Sequence, residues 1–129
     1  VWDEQGASYL FDRINAMRRA EDRTLVVRSE ILDELARVKA RDMAVHRYFS
    51  HYSPVFGSIY DMLDREGLAY KWAGENIARA DSVERAHEAL TESSGHRANL
   101  ISEGYPHVGV GVFTDGTKVY LSQIFMRPR

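Results

Sequence analysis

An α+β layered domain is the fold class this sequence predicts, and two observations predict it. In four segments up to residue 100 the apolar residues recur at three- and four-residue spacing, the period of helices with one buried face. From Tyr105 onward the period falls to two, the signature of strands, so helices are followed by an antiparallel sheet. A chain of 129 residues that is 44% hydrophobic can fill one core, and a single domain over 1–129 is expected.

Taken in order, Ser8 to Ala20 places Leu10, Ile14 and Met17 on one helical face, with Arg13, Arg18 and Arg19 assigned to the wet side. A longer helix is expected from about Ser29 to Arg47, with Leu32, Leu35, Ala36 and Met43 in one stripe and Asp33, Glu34, Arg37 and Arg41 outside it. Ser58 to Asp61 has the form of a capping box, because the serine oxygen can take an orphan amide while the acid three residues later complements the helix dipole. That helix should reach Glu66 and stop at Gly67. A strand is expected over Ala73 to Ala80.

The next helix begins near Asp81-Ser82, buries Val83, Ala86 and Leu90, and is expected to break at Gly95, with a further helical turn from His96 to Leu100. Two strands close the chain. Val108, Val110 and Val112 alternate with Gly109 and Gly111, and Val119, Leu121, Gln123 and Phe125 alternate after them. Asp115-Gly116 between these runs signals a tight hairpin turn. Gly109 and Gly111 leave one strand face bare for the close approach of a helix backbone or a ligand. Arg127-Pro128-Arg129 is expected to be a frayed tail.

Composition excludes several function classes. With 17 basic and 19 acidic residues, a formal charge of -2, the chain lacks the basic footprint that nucleic-acid phosphates require. No apolar run approaches the roughly 20 residues of a membrane-spanning helix; Val1-Trp2-Asp3-Glu4 has neither the basic start nor the apolar core of a leader, which says nothing about where the full-length product goes. With no cysteine there is neither disulfide nor thiolate chemistry, so any metal would need His, Asp or Glu.

The chemistry-bearing constellation is a pair of histidines in turn-rich settings, His51 in Phe49-Ser50-His51-Tyr52-Ser53-Pro54 and His96 in Ser93-Ser94-Gly95-His96-Arg97-Ala98-Asn99-Leu100. Between them lies the acidic segment Gly74-Glu75-Asn76-Ile77-Ala78. If folding gathers these groups into one hollow, two imidazoles and a carboxylate can offer three ligands to zinc or another divalent ion and leave a position open. Glu75 is then also the candidate general base. His46, His87 and His107 have weaker claims: His87 shares a helix face with Val83 and Leu90 and is expected to be a hydrogen-bonded core residue, while His107 reads as loop surface. Asn76, Arg97 and Asn99 are assigned structural roles, Asn76 tying its amide to a neighbouring loop and Arg97 pairing with a carboxylate. Ser93 and Ser94 lack the Gly-x-Ser-x-Gly elbow of a serine hydrolase. Tyr48, Tyr52, Tyr60, Tyr70 and Trp72 are candidates for lining the cleft or filling the core.

On these motifs, together with the Gly109-Val110-Gly111-Val112 strand, the chain resembles the CAP superfamily of cysteine-rich secretory, antigen 5 and pathogenesis-related proteins, in particular its bacterial, disulfide-free SCP-like branch. The resemblance covers nearly the whole chain. It implies an α-β-α sandwich with a small antiparallel sheet of about three strands between helical layers, and an extracellular or cell- or spore-surface location. It also implies a cleft with two histidines and two acids, which in some members holds zinc. The histidines correspond to His51 and His96 and one acid to Glu75. The second acid stands three residues after a tryptophan in animal and plant members; here Leu90 replaces the tryptophan and Ser93 the acid. Glu88 and Glu92 do not substitute, since one residue of displacement turns a helical side chain by about 100°.

The expected cleft is therefore His51, Glu75 and His96 with Ser93 and Asn76 beside them, and His51 and His96, with Glu75 as a third candidate, are the expected metal ligands. Three functions fit. The favoured one is a monomeric secreted binding module for a small ligand, lipid or envelope component, with or without a divalent ion. The second is a zinc-dependent hydrolase, most naturally a peptidase. The third is a structural interaction domain of a spore coat or cell envelope.

Overall fold

The computed structural model describes all residues, 1–129. Five helices, α1 (Glu4–Ala20), α2 (Glu30–Val45), α3 (Ile59–Arg65), α4 (Val83–Glu92) and α5 (Ser94–Ile101), surround four strands, β1 (Val27–Arg28), β2 (Tyr70–Ala80), β3 (His107–Thr114) and β4 (Val119–Pro128). The sheet order is β1-β3-β4-β2, with β1 parallel to β3 and the other pairings antiparallel. The three expected strands are thus joined by a fourth at the edge. Its two residues are too few to show any period in the sequence.

Helices cover both faces, which makes the α-β-α sandwich. Leu10 and Ile14 of α1, Ala86 and Leu90 of α4 and Leu100 of α5 pack on Val108, Val110, Val112, Leu121 and Phe125. On the opposite face, Leu32, Leu35 and Ala36 of α2 and Ile59, Met62 and Leu63 of α3 pack on Ile124 and Met126. Covered on both sides, β4 is buried from Tyr120 to Met126, as a central strand between two layers must be. A Cβ at Gly109 would fall inside the backbone of Leu32 and Asp33, and one at Gly111 inside that of Ala36 and Arg37. The bare face of β3 is therefore taken by α2.

Several expectations are corrected. Arg18 is 1% exposed, not on a wet face, because its long side chain reaches carbonyls that lack other donors: Nε donates to Leu100 O at 2.9 Å, near the end of α5, and Nη1 to Thr24 O at 3.0 Å. Asp33 is also buried. It accepts from the Val110 amide at 2.8 Å and pairs with Arg28 at 2.9 Å across the close α2–β3 contact. Helix α4 ends at Glu92, before Gly95, because Ser93 takes an extended backbone (φ -95, ψ 121), and Gly95 lies inside α5. The β3–β4 connection spans residues 115–118 rather than a two-residue turn; the Asp115 carboxylate accepts the Thr117 and Lys118 amides at 2.8 Å each, an Asx-type turn. Arg127 and Pro128 belong to β4, paired with Trp72 and Tyr70. Pairing also explains His107, which opens β3 opposite Val27 and Met126.

Other details follow the sequence closely. Ser29 caps α2 and Ser82 caps α4. Both halves of the Ser58–Asp61 box are formed, and Gly67 follows α3 with φ +70.

Candidate functional site

The site is built on the loop that leaves α2. Lys39 and Asp42 lie on the buried side of that helix, 0% and 4% exposed, and both serve the loop. Lys39 Nζ donates to the carbonyl of Ser50 at 2.6 Å and lies over the Tyr48 ring, 5.0 Å from its centroid. Asp42 accepts from the Tyr48 hydroxyl, from Ser53 Oγ at 2.5 Å and from His46 Nδ1 at 2.8 Å. Ser53 Oγ in turn accepts the Val55 and Phe56 amides at 3.0 Å. Each of the buried side chains Lys39, Asp42 and Ser53 that holds this loop thus has a polar partner. Burial, and then the hydrogen bond to Asp42, pushes the Tyr48 phenol far above its ordinary range. Burial depresses Lys39, an effect the charges of Glu75 and Asp42 oppose.

This loop sets His51 against Glu75. Glu75 is on β2, its side chain 3% exposed, and Oε1 meets His51 Nδ1 at 2.9 Å while Oε2 accepts from Ser122 Oγ of β4 at 2.7 Å. Both carboxylate oxygens are thus engaged. A carboxylate at Nδ1 selects the tautomer with hydrogen there and leaves Nε2 of His51 as an acceptor. The His51 side chain is 59% exposed.

His96 is held differently. It is the third residue of α5, with Nδ1 at 2.8 Å from Ser93 Oγ. Ser93 has no side-chain cap bond to its own helix because its hydroxyl is directed to that ring. Asn76 does as expected and ties β2 to this turn: fully buried, it donates to His96 O and Gln123 Oε1, both at 3.1 Å, and accepts from Asn99 Nδ2 at 2.9 Å. Arg97 finds its carboxylate in Glu21.

A cleft of about 320 Å³ opens beside the His51–Glu75 pair, lined by His51, Ser58, Ile59, Tyr60, Ala73, Gly74, Glu75, Asn99 and Tyr105. The structure therefore brings two members of the expected triad into contact at one cleft; His96, Ser93 and Asn76 are not among the residues that line it. No set of three His, Asp or Glu side chains is grouped as a metal site. His46 is the C-cap of α2, paired with Asp42. His87 is buried as expected, but its Nδ1 has no partner; burial, and then the charge of Arg13, hold its pKa below the ordinary value.

Of the expected aromatics, Tyr60 lines the cleft and Tyr70 packs on it at 5.8 Å, whereas Tyr52 and Trp72 are exposed elsewhere and Tyr48 belongs to the Asp42 network. Lys39, Asp42, Ser122 and Tyr105 were not picked out by sequence reasoning. A signal existed for Lys39: it continues the stripe of Leu35, Ala36, Ala40 and Met43, where a charge needs an explanation.

A family model described as the cysteine-rich secretory protein family matches residues 11–125. The chain is 38% identical over 104 residues to the uncharacterized protein YkwD of Bacillus subtilis, covering 80% of this chain and 40% of YkwD. It is 37% identical over 95 residues to the uncharacterized membrane protein YlbC of the same organism, covering 73% of this chain and 26% of YlbC. The crystal structure of an extracellular protein containing an SCP domain from Bacillus anthracis superposes with a TM-score of 0.89 at 31% identity, over 97% of this chain and 41% of that one. The chain thus spans less than half the length of each of these relatives. No helix of the structure is long and apolar enough to cross a membrane.

Proposed function

Because this chain belongs to the cysteine-rich secretory protein family, we propose that it is a secreted or surface-associated binding module, monomeric, whose His51–Glu75 cleft recognises a small ligand or envelope component. One observation carries the choice of binding over turnover: Glu75 is spent on both oxygens, one on His51 and one on Ser122, and is nearly buried. A general base must be free to move onto the substrate proton, and these two bonds hold the Glu75 carboxylate in the wall of the cleft. Glu75 instead orients an imidazole that faces the cleft. The extracellular setting of the B. anthracis relative supports the location.

Both His51 and His96 engage an oxygen through Nδ1 and keep Nε2 free, the usual outer-shell arrangement of a metal-bound histidine. With Glu75 committed and Ser93 in place of a second acid, however, the protein offers two nitrogens rather than the three ligands of a catalytic zinc. A divalent ion at this cleft would have His51 Nε2 as its protein ligand, His96 lying outside the lining residues, and would add a positive contact for ligand oxygens. The hydrolase reading is weaker for the same reason.

Titration calorimetry with zinc and with soluble cell-wall fragments, on the wild type and on a His51→Ala/His96→Ala double variant, tests the proposal. Binding that disappears in the variant supports it, and identical isotherms overturn it. Turnover of a peptide library that a chelator abolishes and zinc restores would replace it with the hydrolase.

A further inference from the structure

The hydrogen-bond network behind the cleft decides which atoms its walls offer. The carbonyl of His96 can only accept, so Asn76 must point Nδ2 toward it and is left with Oδ1 for Asn99. Asn99 must then give its NH₂ to Asn76, which leaves Asn99 Oδ1 to the cleft it lines. His51, with Nδ1 on Glu75, offers the acceptor Nε2. The third group is the Tyr105 hydroxyl. It stands over the bare Cα of Gly74: a Cβ there would lie 2.7 Å from Tyr105 Oη and 3.5 Å from Asn99 Oδ1. Glycine at 74 is what leaves this space open.

Two acceptors and one phenol, which both donates and accepts, call for a ligand rich in hydroxyl or amide hydrogens. None of the nine lining residues is Lys or Arg, so phosphate, sulfate or carboxylate groups find no counter-charge. The one charged side chain of the lining apart from His51 is Glu75, a carboxylate, which disfavours an anion further and is itself held by His51 and Ser122. Tyr60 is 44% exposed, yet its ring is fixed, by its own hydroxyl on Ala73 O at 3.0 Å and by Tyr70 alongside. It forms a rigid, amphipathic wall on which the C–H face of a ring can pack. The cleft volume is near the lower end of the roughly 300–1,000 Å³ usual for small-molecule sites.

The geometry points to a neutral saccharide carrying hydroxyl and amide groups as the ligand class of this cleft, an inference that rests on the binding-module reading above. Tyr105, Asn99 and the Tyr60 ring determine its specificity. An anionic saccharide is not matched by this wall, and neither is a peptide that relies on its charges.

The test uses the whole domain with triacetylchitotriose as the neutral probe, and a heparin hexasaccharide and the tripeptide L-Ala-D-Glu-L-Lys as comparators, read by calorimetry and by amide shifts in a ¹⁵N NMR spectrum. The neutral saccharide is expected to bind alone among the three, with shifts at Gly74 and Asn99. Tyr105→Phe, which keeps the ring packing, should weaken it about tenfold, the worth of one hydrogen bond, and Gly74→Ala should abolish it. If only heparin or the peptide binds, and the His51→Ala/His96→Ala variant loses that binding, the saccharide class is overturned while the cleft reading stands. Saccharide binding that Tyr105→Phe and Gly74→Ala both leave unchanged also overturns the inference. If the double histidine variant binds every compound as the wild type does, the cleft reading fails with it.

Discussion

Asn76→Ala isolates the joint between the sheet and the His96 turn. Asn76 is fully buried and makes three side-chain hydrogen bonds, to His96 O, Gln123 Oε1 and Asn99 Nδ2. Truncation affects the three partners unequally. His96 and Asn99 are only partly buried, so water can replace the lost bonds at small cost. Gln123 is 0% exposed and its Nε2 already lacks a partner, so the variant leaves both ends of that amide unanswered. An unsatisfied buried polar group costs about 1–3 kcal/mol, and the missing side-chain volume adds about 1 kcal/mol. The expected loss is about 3 kcal/mol. For a domain of this length that corresponds to a fall in Tm of about 11 °C. Urea unfolding followed by far-UV circular dichroism measures it. Adding Gln123→Leu should recover about 1–2 kcal/mol, since removing both partners of a buried bond is far cheaper than removing one. A loss below about 0.5 kcal/mol, or a double variant whose loss equals the sum of the two single ones, would refute the reasoning.

Three further outcomes are expected. Gly109→Ala places a methyl group inside the backbone of α2 and should cost about 3 kcal/mol in the same unfolding assay, whereas Gly116→Asn in the exposed hairpin should stay within about 1 kcal/mol; equal effects would contradict the close α2–β3 contact. His87 has its pKa depressed in the fold, so its neutral form is fully compatible with stability above about pH 6.5, and stability is lost as pH falls below that, because the unfolded chain takes up the proton first. His87→Leu should flatten this acid limb between pH 7.5 and 5.0, and an unchanged slope would show that His87 does not contribute to it. Lys39→Met removes a hydrogen bond to Ser50 but also relieves the desolvation of a buried charge, so global stability should change by less than about 1 kcal/mol. Amide hydrogen exchange in residues 50–53 should nevertheless quicken; a loss above about 3 kcal/mol would show that the charge is worth more than its burial costs.

The elements were legible where a local rule set them. The Ser58–Asp61 box, the start of α2 beside Ser29 and the alternation in β3 and β4 depend on neighbours a few residues apart, and each forms where the sequence places it. The misreadings share one cause. Residue type alone puts Arg18 and Asp33 on the solvent side, but both meet backbone groups from distant elements, Leu100 O in one case and the Val110 amide in the other. Charged groups are buried where such partners await them, and helical spacing carries no record of partners 77 or 82 residues away. β1 was missed for a similar reason, since two residues become a strand only because β3 lies beside them.

The sequence by itself determined the layered α+β class, the family and the identity of the candidate residues, because periodicity, caps and motifs are properties of short stretches of chain. Only the tertiary structure decided what those residues do. The pairing of β2 with β4 gives Glu75 its second partner in Ser122, and the Asn76 bridge turns Asn99 Oδ1 toward the cleft. Hydrogen-bond donors and acceptors are saturable, so an atom's free chemistry depends on which neighbours have already claimed it, and those neighbours are assembled only by folding.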